Sequence, residues 1–288
     1  MLFWAESKSR FRERHSVGNL PGLDYFRVSP LASSSTGNVT YIETPQHKVL
    51  VDAGLSGKKV ELLMESIGRT LKEVDSLFVT HEHSDHIRGV GVLARRYPQM
   101  NIYTNAQTWQ AMLPKIGKVP AAQRQLFPMG TTLSLGDLDV TSFGVSHDAI
   151  APQFYEFHHS GESFVIVTDT GYVSERVEGV IKDATCYLFE ANHDTEMLRE
   201  GMYPWPLKQR IMSDLGHLSN VDGAHALMDV VGNDTKHIFL GHLSQENNMK
   251  SLAHMTVAET MAAHDFGVDH DFYLHDTDPL VAVPLLTL

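Results

Sequence analysis

The chain has 288 residues, 35 acidic and 23 basic, so its formal charge is −12, and 42% of it is apolar. This composition is that of a globular protein and excludes disorder over most of the length. The lone cysteine, Cys186, excludes a disulfide-stapled domain, and no apolar run of about 18 residues is present to span a membrane.

Residues 1–16 mix Glu6, Lys8, Arg10, Arg12, Glu13 and Arg14 with no apolar stretch. They carry no secretory signal, a cytoplasmic address follows, and residues 1–24 read as a poorly ordered extension ahead of a folded domain over 25–288. Strands are predicted at Tyr25–Leu31, Val39–Glu43 and Lys48–Asp52, the last two joined by a turn at Pro45-Gln46. A helix follows over Lys58–Ile67, with Gly68 just past its end. Ser76–Thr80 is a short apolar strand that runs into a histidine cluster, and one helix is predicted from about Asp85 to Arg96. Asn101–Thr104 reads as a strand and Ala106–Leu113 as a helix, followed by a turn-rich stretch over Pro114–Gly130. Four antiparallel strands come next, at Leu133–Leu135, Leu138–Val145, Phe154–His158 and Ser163–Thr168. Helices are predicted over 174–181, 194–200, 205–213, 219–231 and 247–264, and strands over 186–190, 236–240 and 270–274. Ser219 with Asp222 is an Asp variant of the capping box. Hairpins alternating with βαβ-like units imply mixed sheets covered by helices.

The chemistry concentrates in Phe78-Val-Thr-His81-Glu-His83-Ser-Asp85-His86, where an apolar strand ends in four metal-ligand side chains within six residues. Imidazole nitrogen and carboxylate oxygen suit zinc, iron or manganese. Residues i and i+2 of an extended segment point the same way, so His81 and His83 can grip one ion. Asp85 and His86, past the turn into the helix, can hold a second.

Thr80-His81-Glu82-His83-Ser84-Asp85-His86 resembles the signature of the metallo-β-lactamase superfamily. Downstream, in order, come a histidine after a strand (His147), an aspartate ending a strand (Asp169) and a late histidine after an apolar strand (His242). Upstream, Val49-Leu-Val-Asp52-Ala-Gly matches the early aspartate motif. The resemblance covers roughly residues 27–280 and implies an α/β fold, a four-layer αββα sandwich of two mixed β-sheets flanked by helices. It implies that His81, His83 and His147 hold one metal, that Asp85, His86 and His242 hold another, and that Asp169 bridges them. Asp52 would orient a ligand histidine by hydrogen bond. Zinc is the expected metal, with manganese or iron as alternatives. The common zinc β-lactamases need a cysteine ligand, whereas Cys186 sits in a predicted core strand.

Leu31-Ala-Ser-Ser-Ser-Thr-Gly37-Asn38, Phe189-Glu-Ala-Asn192-His193-Asp194, Ser213-Asp-Leu-Gly-His217-Leu-Ser and Leu240-Gly-His242-Leu-Ser-Gln-Glu-Asn-Asn look like the YycJ/WalJ-type exonuclease branch, which is similar to PhnP phosphodiesterase and tRNase Z. Ser34 departs from that branch, standing where glycine is expected. The implied activity is phosphodiester hydrolysis, most specifically 5′→3′ DNA exonuclease action, with DNA as partner. The implied attacking group is a hydroxide shared by two ions, with His217 as proton donor and Asp85 as the other catalytic candidate. Ser34, Asn38, Asn192 and His193 are the candidates for substrate contact. A small-molecule hydrolase acting on a cyclic nucleotide, thioester or lactone shares the same metal core. A non-enzymatic regulator would have lost metal ligands, and all seven are present.

Charge argues against nonspecific DNA binding, which calls for a basic footprint. The local basic supply for one side of a cleft is Arg88, Arg95, Arg96, Lys115, Lys118 and Arg124. The interval from Asp169 to His242 is too short for the large inserted domain of the β-CASP nucleases, so a nuclease here must work with its core domain and its own loops.

Overall fold

The computed structural model describes residues 24–288, so the extension expected over 1–24 lies outside the described residues except for Asp24. The Asp24 carboxylate accepts hydrogen bonds from His159 Nε2 at 2.6 Å and Ser160 Oγ at 2.8 Å.

The first half contains β1 (Arg27–Ala32), β2 (Val39–Glu43), β3 (Lys48–Val51), α1 (Gly57–Ser66), β4 (Ser76–Phe78), α2 (Ser84–Ile87), α3 (Val90–Arg96), β5 (Asn101–Thr104), α4 (Ala106–Ile116) and β6 (Arg124–Leu126). The second contains β7 (Thr132–Leu135), β8 (Leu138–Gly144), β9 (Gln153–His159), β10 (Glu162–Val167), α5 (Glu175–Ile181), β11 (Cys186–Glu190), α6 (Thr195–Glu200), α7 (Trp205–Ile211), α8 (Asn220–Val230), β12 (His237–Gly241), α9 (Lys250–Ala262) and β13 (Tyr273–Asp276). A final short strand, β14 (Leu286–Thr287), returns to the first sheet. The sheets run β14-β1-β2-β3-β4-β5-β6 and β13-β12-β11-β10-β9-β8-β7, each mixing parallel and antiparallel pairs.

The period of two in each strand builds the layers. Ile42, Val49, Val51 and Phe78 face the second sheet and join its aromatic core, whereas their neighbours Tyr41, Leu50, Leu77 and Val79 face outward into a cluster shared with α1, α3 and α4. Phe78 locks the sheets together, stacking on Tyr103 at 4.9 Å and meeting Tyr155 and Phe157 of β9 edge-on at 5.2 and 5.5 Å. Such pairs add about 0.5–1.5 kcal/mol each beyond area burial. On the far side α8 and α9 pack on each other, α8 on β11 and α9 on β13. Cys186 is fully buried in β11. Among the described residues no helix is long and apolar enough to cross a membrane.

Several elements differ from the sequence expectation: α4 runs through Pro114 to Ile116, and the strand expected over 270–274 lies at Tyr273–Asp276. The edge strands β6 and β14 are three and two residues long, too short to carry a period. The helix predicted over 85–96 is broken before Val90. Its ladder is diverted: the Asp85 carbonyl accepts from Asn38 N at 2.9 Å, the His86 carbonyl from Ala53 N at 2.8 Å, and Gly89 N donates to Ala53 at 2.7 Å. A Cβ on Gly54 would overlap the Asp85 carbonyl, so only glycine allows this backbone approach.

Glu43 ties α1 to the first sheet. It is 1% exposed and takes two hydrogen bonds from Arg69, at 2.6 and 2.8 Å, one from Arg27 at 3.1 Å and one from Tyr41 at 2.9 Å. Burial works against its charge, but Arg69, Tyr41 and Arg27 outweigh it and hold the carboxyl down at about 2. A depressed carboxyl stabilises the fold above the ordinary glutamate range and loses that contribution as pH falls through the folded value. Glu43→Gln is therefore expected to cost about 3 kcal/mol at neutral pH. Paired urea melts should show this gap narrowing as pH falls from about 4.5 towards 2; a gap independent of pH would assign the loss to packing.

Candidate metal centre

Strand direction brings the site together. β3 and β4 are parallel, β10, β11 and β12 are parallel, and β8 runs with β10 because both are antiparallel to β9. Their C-terminal ends, at one edge of the sandwich, lead into Asp52, His81, Asp169, Glu190, His242 and His147 respectively. Asp52, Asp169 and His242 have φ of 60°, 51° and 55°. This left-handed region costs a non-glycine residue about 1–2 kcal/mol, and Asp and His enter it more readily than most. Three of the seven non-glycine residues with positive φ among the described residues therefore stand where the functional side chains turn inward.

Two groups of donors form. His81, His83 and His147 make one, and Asp85, His86, Asp169 and His242 the other, each with ligand atoms within 4.8 Å of one another. The hydrogen bonds on the far ring nitrogens orient the lone pairs. His86 Nδ1 donates to Asp52 at 2.7 Å, His147 Nδ1 to the Gly216 carbonyl at 3.3 Å and His242 Nδ1 to Glu190 at 3.0 Å. Thr80 Oγ1 donates to Asp52 at 2.8 Å and so accepts from His81 Nδ1 at 3.0 Å.

Each of these histidines is left with an Nε2 lone pair pointing inward. His147 Nε2 lies 3.3 Å from His83 Nδ1, His86 Nε2 lies 3.2 Å from Asp169, and His242 Nε2 lies 3.1 Å from Asp169 and 3.5 Å from Asp85. Two ligands of a tetrahedral zinc ion, each about 2.0–2.1 Å from it, stand about 3.3 Å apart. Lone pairs facing each other at that spacing repel unless a cation lies between them. His81 Nε2 and Asp169 Oδ2 are buried with no hydrogen-bond partner among the described residues, which is costly for a polar atom in any other setting. The donor set fits divalent metal ions.

The electrostatics agree. Burial disfavours charge on His86, yet Asp169, Asp52 and Asp85 hold its pKa well above the ordinary imidazole value. His242 is likewise disfavoured by burial but drawn up to about 10, by Asp169 foremost. His81 is pushed well down by burial and by His86. The carboxylates demand positive charge that no lysine or arginine among the described residues supplies inside the site.

Glu190, not singled out from the sequence, is the hub. It is fully buried, and its Oε1 accepts from both His217 Nδ1, at 2.8 Å, and His242 Nδ1. Its Oε2 accepts from the backbone of Thr170 at 3.0 Å and Leu218 at 3.2 Å. A third donor group, Asp169, Glu190, His217 and His242, is also within metal-binding reach. With all four of its contacts made, Glu190 acts there as a support. Burial opposes its charge, but His217 and His242 hold its carboxyl at about 2. The only signal in the sequence was an acidic residue closing an apolar strand, as at Asp52 and Asp169.

His217 is the one partly open histidine against this hub, 16% exposed, with its ring 5.1 Å from His242 and 5.2 Å from His147. The Ser219 cap, accepting from Asp222 N at 3.1 Å, starts α8 two residues later. The four residues expected at the substrate are all buried and serve the ligand loops. Asn192 Nδ2 donates to the His242 carbonyl at 2.8 Å, and Asn38 Nδ2 approaches His86 Nε2 at 3.2 Å. His193 lies against Asn192, and Ser34 is bonded to Asn38 and Thr36.

Comparison with known proteins identifies the family. A sequence profile described as the beta-lactamase superfamily domain matches residues 47–266. The chain is 57% identical over 262 residues to "Exodeoxyribonuclease WalJ" of Streptococcus pneumoniae, covering 90% of this chain and 97% of that protein. It is 52% identical over 251 residues to "Exodeoxyribonuclease YycJ" of Bacillus anthracis, covering 87% and 95%. Among solved structures, the metallo-beta-lactamase fold protein YhfI of Bacillus subtilis superposes with a TM-score of 0.67 at 13% identity, over 90% of this chain and all of that one, which is a likeness of fold. By the profile match and by the extent of its likeness to WalJ, the chain belongs to the beta-lactamase superfamily.

Proposed function

We propose that the chain is a phosphodiesterase working with two divalent ions, and that it shortens DNA from a 5′ end. One observation carries the reaction class: His217 is fixed by a buried carboxylate beside Asp169, which belongs both to the His86 donor group and to the group of Glu190 and His217. The choice of DNA rests on the relatives named exodeoxyribonucleases. His81, His83 and His147 would hold one ion, Asp85, His86 and His242 the other, and Asp169 would reach both. Nitrogen and oxygen donors suit zinc first, then manganese or iron. When bound, the ions supply Lewis acidity at the phosphate oxygens and a water acidic enough to attack phosphorus.

The chain's own groups do the rest. Asp52 fixes the ring of His86, and Glu190 fixes that of His242, so that each Nε2 faces inward. Because the Nδ1 hydrogen of His217 is committed to Glu190, the second proton of its imidazolium form sits on Nε2 and is the one handed to the leaving oxygen, leaving the neutral Nδ1–H ring.

The test is direct. Purified chain is stripped of metal, restored with Zn²⁺ or Mn²⁺, and given 5′-phosphorylated DNA labelled at its 3′ end. Stepwise release of nucleotides from the 5′ end, dependent on the added ion, is expected. No degradation with either ion would overturn the nuclease reading. Turnover of bis(p-nitrophenyl) phosphate without DNA cleavage would make the chain a small-diester hydrolase, and release from the 3′ end would reverse the polarity.

A further inference from the structure

We propose that Lys115 and Arg210 form a two-cation phosphate track at the mouth of the site, which holds the backbone of a polynucleotide as it enters. The inference rests on the phosphodiesterase reading above and adds the surface that the polymer crosses.

A chain of charge −12 repels a polyanion at long range, so an entering strand needs local cations. The structure gives partners to four of the six expected from the sequence, while the side chains of Arg88 and Lys118 are exposed and make no hydrogen bond or ion pair among the described residues. Arg96 pairs with Glu61 at 3.8 Å, while Arg95 donates to the Lys118 carbonyl at 2.9 Å and Arg124 to the Val119 carbonyl at 2.6 and 3.0 Å. These last two brace the segment after α4. Lys115 differs. Its Nζ donates to the carbonyl of Glu82 at 3.1 Å, and Glu82 stands between His81 and His83.

A second cation comes from α7. Arg210 Nε donates to Asp148, whose carboxylate lies 3.5 Å from His147 Nε2 and 3.8 Å from His83 Nε2. Ile150 N donates to the Glu82 carboxylate at 2.9 Å, so the loop from Asp148 to Ile150 lies between the two cations, on the His83 side of the site.

Both cations have donors to spare. Lys115 is exposed and uses one of its three hydrogens. The Arg210 side chain is 51% exposed, and neither of its Nη groups makes a hydrogen bond among the described residues. A half-exposed ion pair such as Arg210–Asp148 is cheap to exchange for a phosphate, and the planar guanidinium suits two phosphate oxygens. A single diester bound at the metal centre has no further phosphate to offer these residues. A strand does, which makes the track a selector for polymer.

Binding of a 5′-phosphorylated single-stranded oligonucleotide with cleavage-resistant phosphorothioate linkages, followed by fluorescence anisotropy between 50 and 200 mM salt, tests the track on the full chain. Lys115→Ala and Arg210→Ala are each expected to weaken binding about tenfold at low salt and to flatten the plot of log affinity against log salt by about 0.7, with about 1.4 for the pair. Arg210→Lys should keep the slope and lose part of the affinity. Lys236→Ala, at the opposite end of β12 and paired with Glu162, should change neither. Unchanged slopes in both alanine variants would overturn the track, as would weaker binding at an unchanged slope. If the wild-type chain cleaves no DNA while the slopes shift as expected, the track stands and the reading of the reaction falls.

Discussion

Asp169→Asn is expected to lower metal-dependent turnover by about 10⁴-fold, or about 5.5 kcal/mol of transition-state stabilisation, and to reduce the metal content of the purified protein. Asp169 is 2% exposed, with one oxygen 3.1 Å from His242 Nε2 and the other 3.2 Å from His86 Nε2 and lacking any hydrogen bond. Among the described residues, only Asp169 and His242 enter both the His86 group and the Glu190 group. Asparagine keeps the volume and tolerates the φ of 51°, so the change isolates the carboxylate from the backbone. It places an amide where a lone pair is needed. Elemental analysis of metal content beside turnover decides the matter. Near-normal metal content together with near-normal rate would remove Asp169 from the donor set.

His217→Ala is expected to slow DNA cleavage by about 10³-fold while metal content is retained. The signature of a proton donor is its dependence on the leaving group. A diester that expels p-nitrophenolate needs little protonation, so the loss on bis(p-nitrophenyl) phosphate should be under about tenfold. Equal losses on both substrates would make His217 a charge clamp. Glu190→Gln should reproduce part of the His217 loss and also disturb His242, since one oxygen of Glu190 serves both rings. The double variant should be no slower than the slower single, because residues acting as a unit are not additive.

What was legible in the sequence follows from how local each signal is. His81, His83, Asp85 and His86 lie within one turn of chain, so their grouping could be read directly. His147, Asp169 and His242 became legible through the family resemblance, as polar residues following apolar strands in the expected order, and parallel strand order gathers such ends at one edge. Glu190 occupied the same kind of position. Its role was hidden because its partners, His217 and His242, lie 27 and 52 residues away. Arg210 was invisible for the same reason, its partner Asp148 being 62 residues distant. The break at Gly89 arises from bonds to Ala53, a contact that no helical periodicity encodes. Burial is equally nonlocal. Asn38 and Asn192 were read from the sequence as substrate contacts, whereas in the packed structure both are buried and bonded to the ligand loops.

The donors are divided between the sheets. His81, His83, Asp85 and His86 come from the β4 side, while His147, Asp169 and His242 come from β8, β10 and β12. Neither half of the molecule owns a complete coordination sphere. On the proposed donor set, an ion held there acts as a clasp across the seam, and its affinity and the adhesion of the two halves are a single thermodynamic quantity. Starving the protein of metal then does more than silence its chemistry: it unfastens the sandwich at the edge where a long, charged strand must enter.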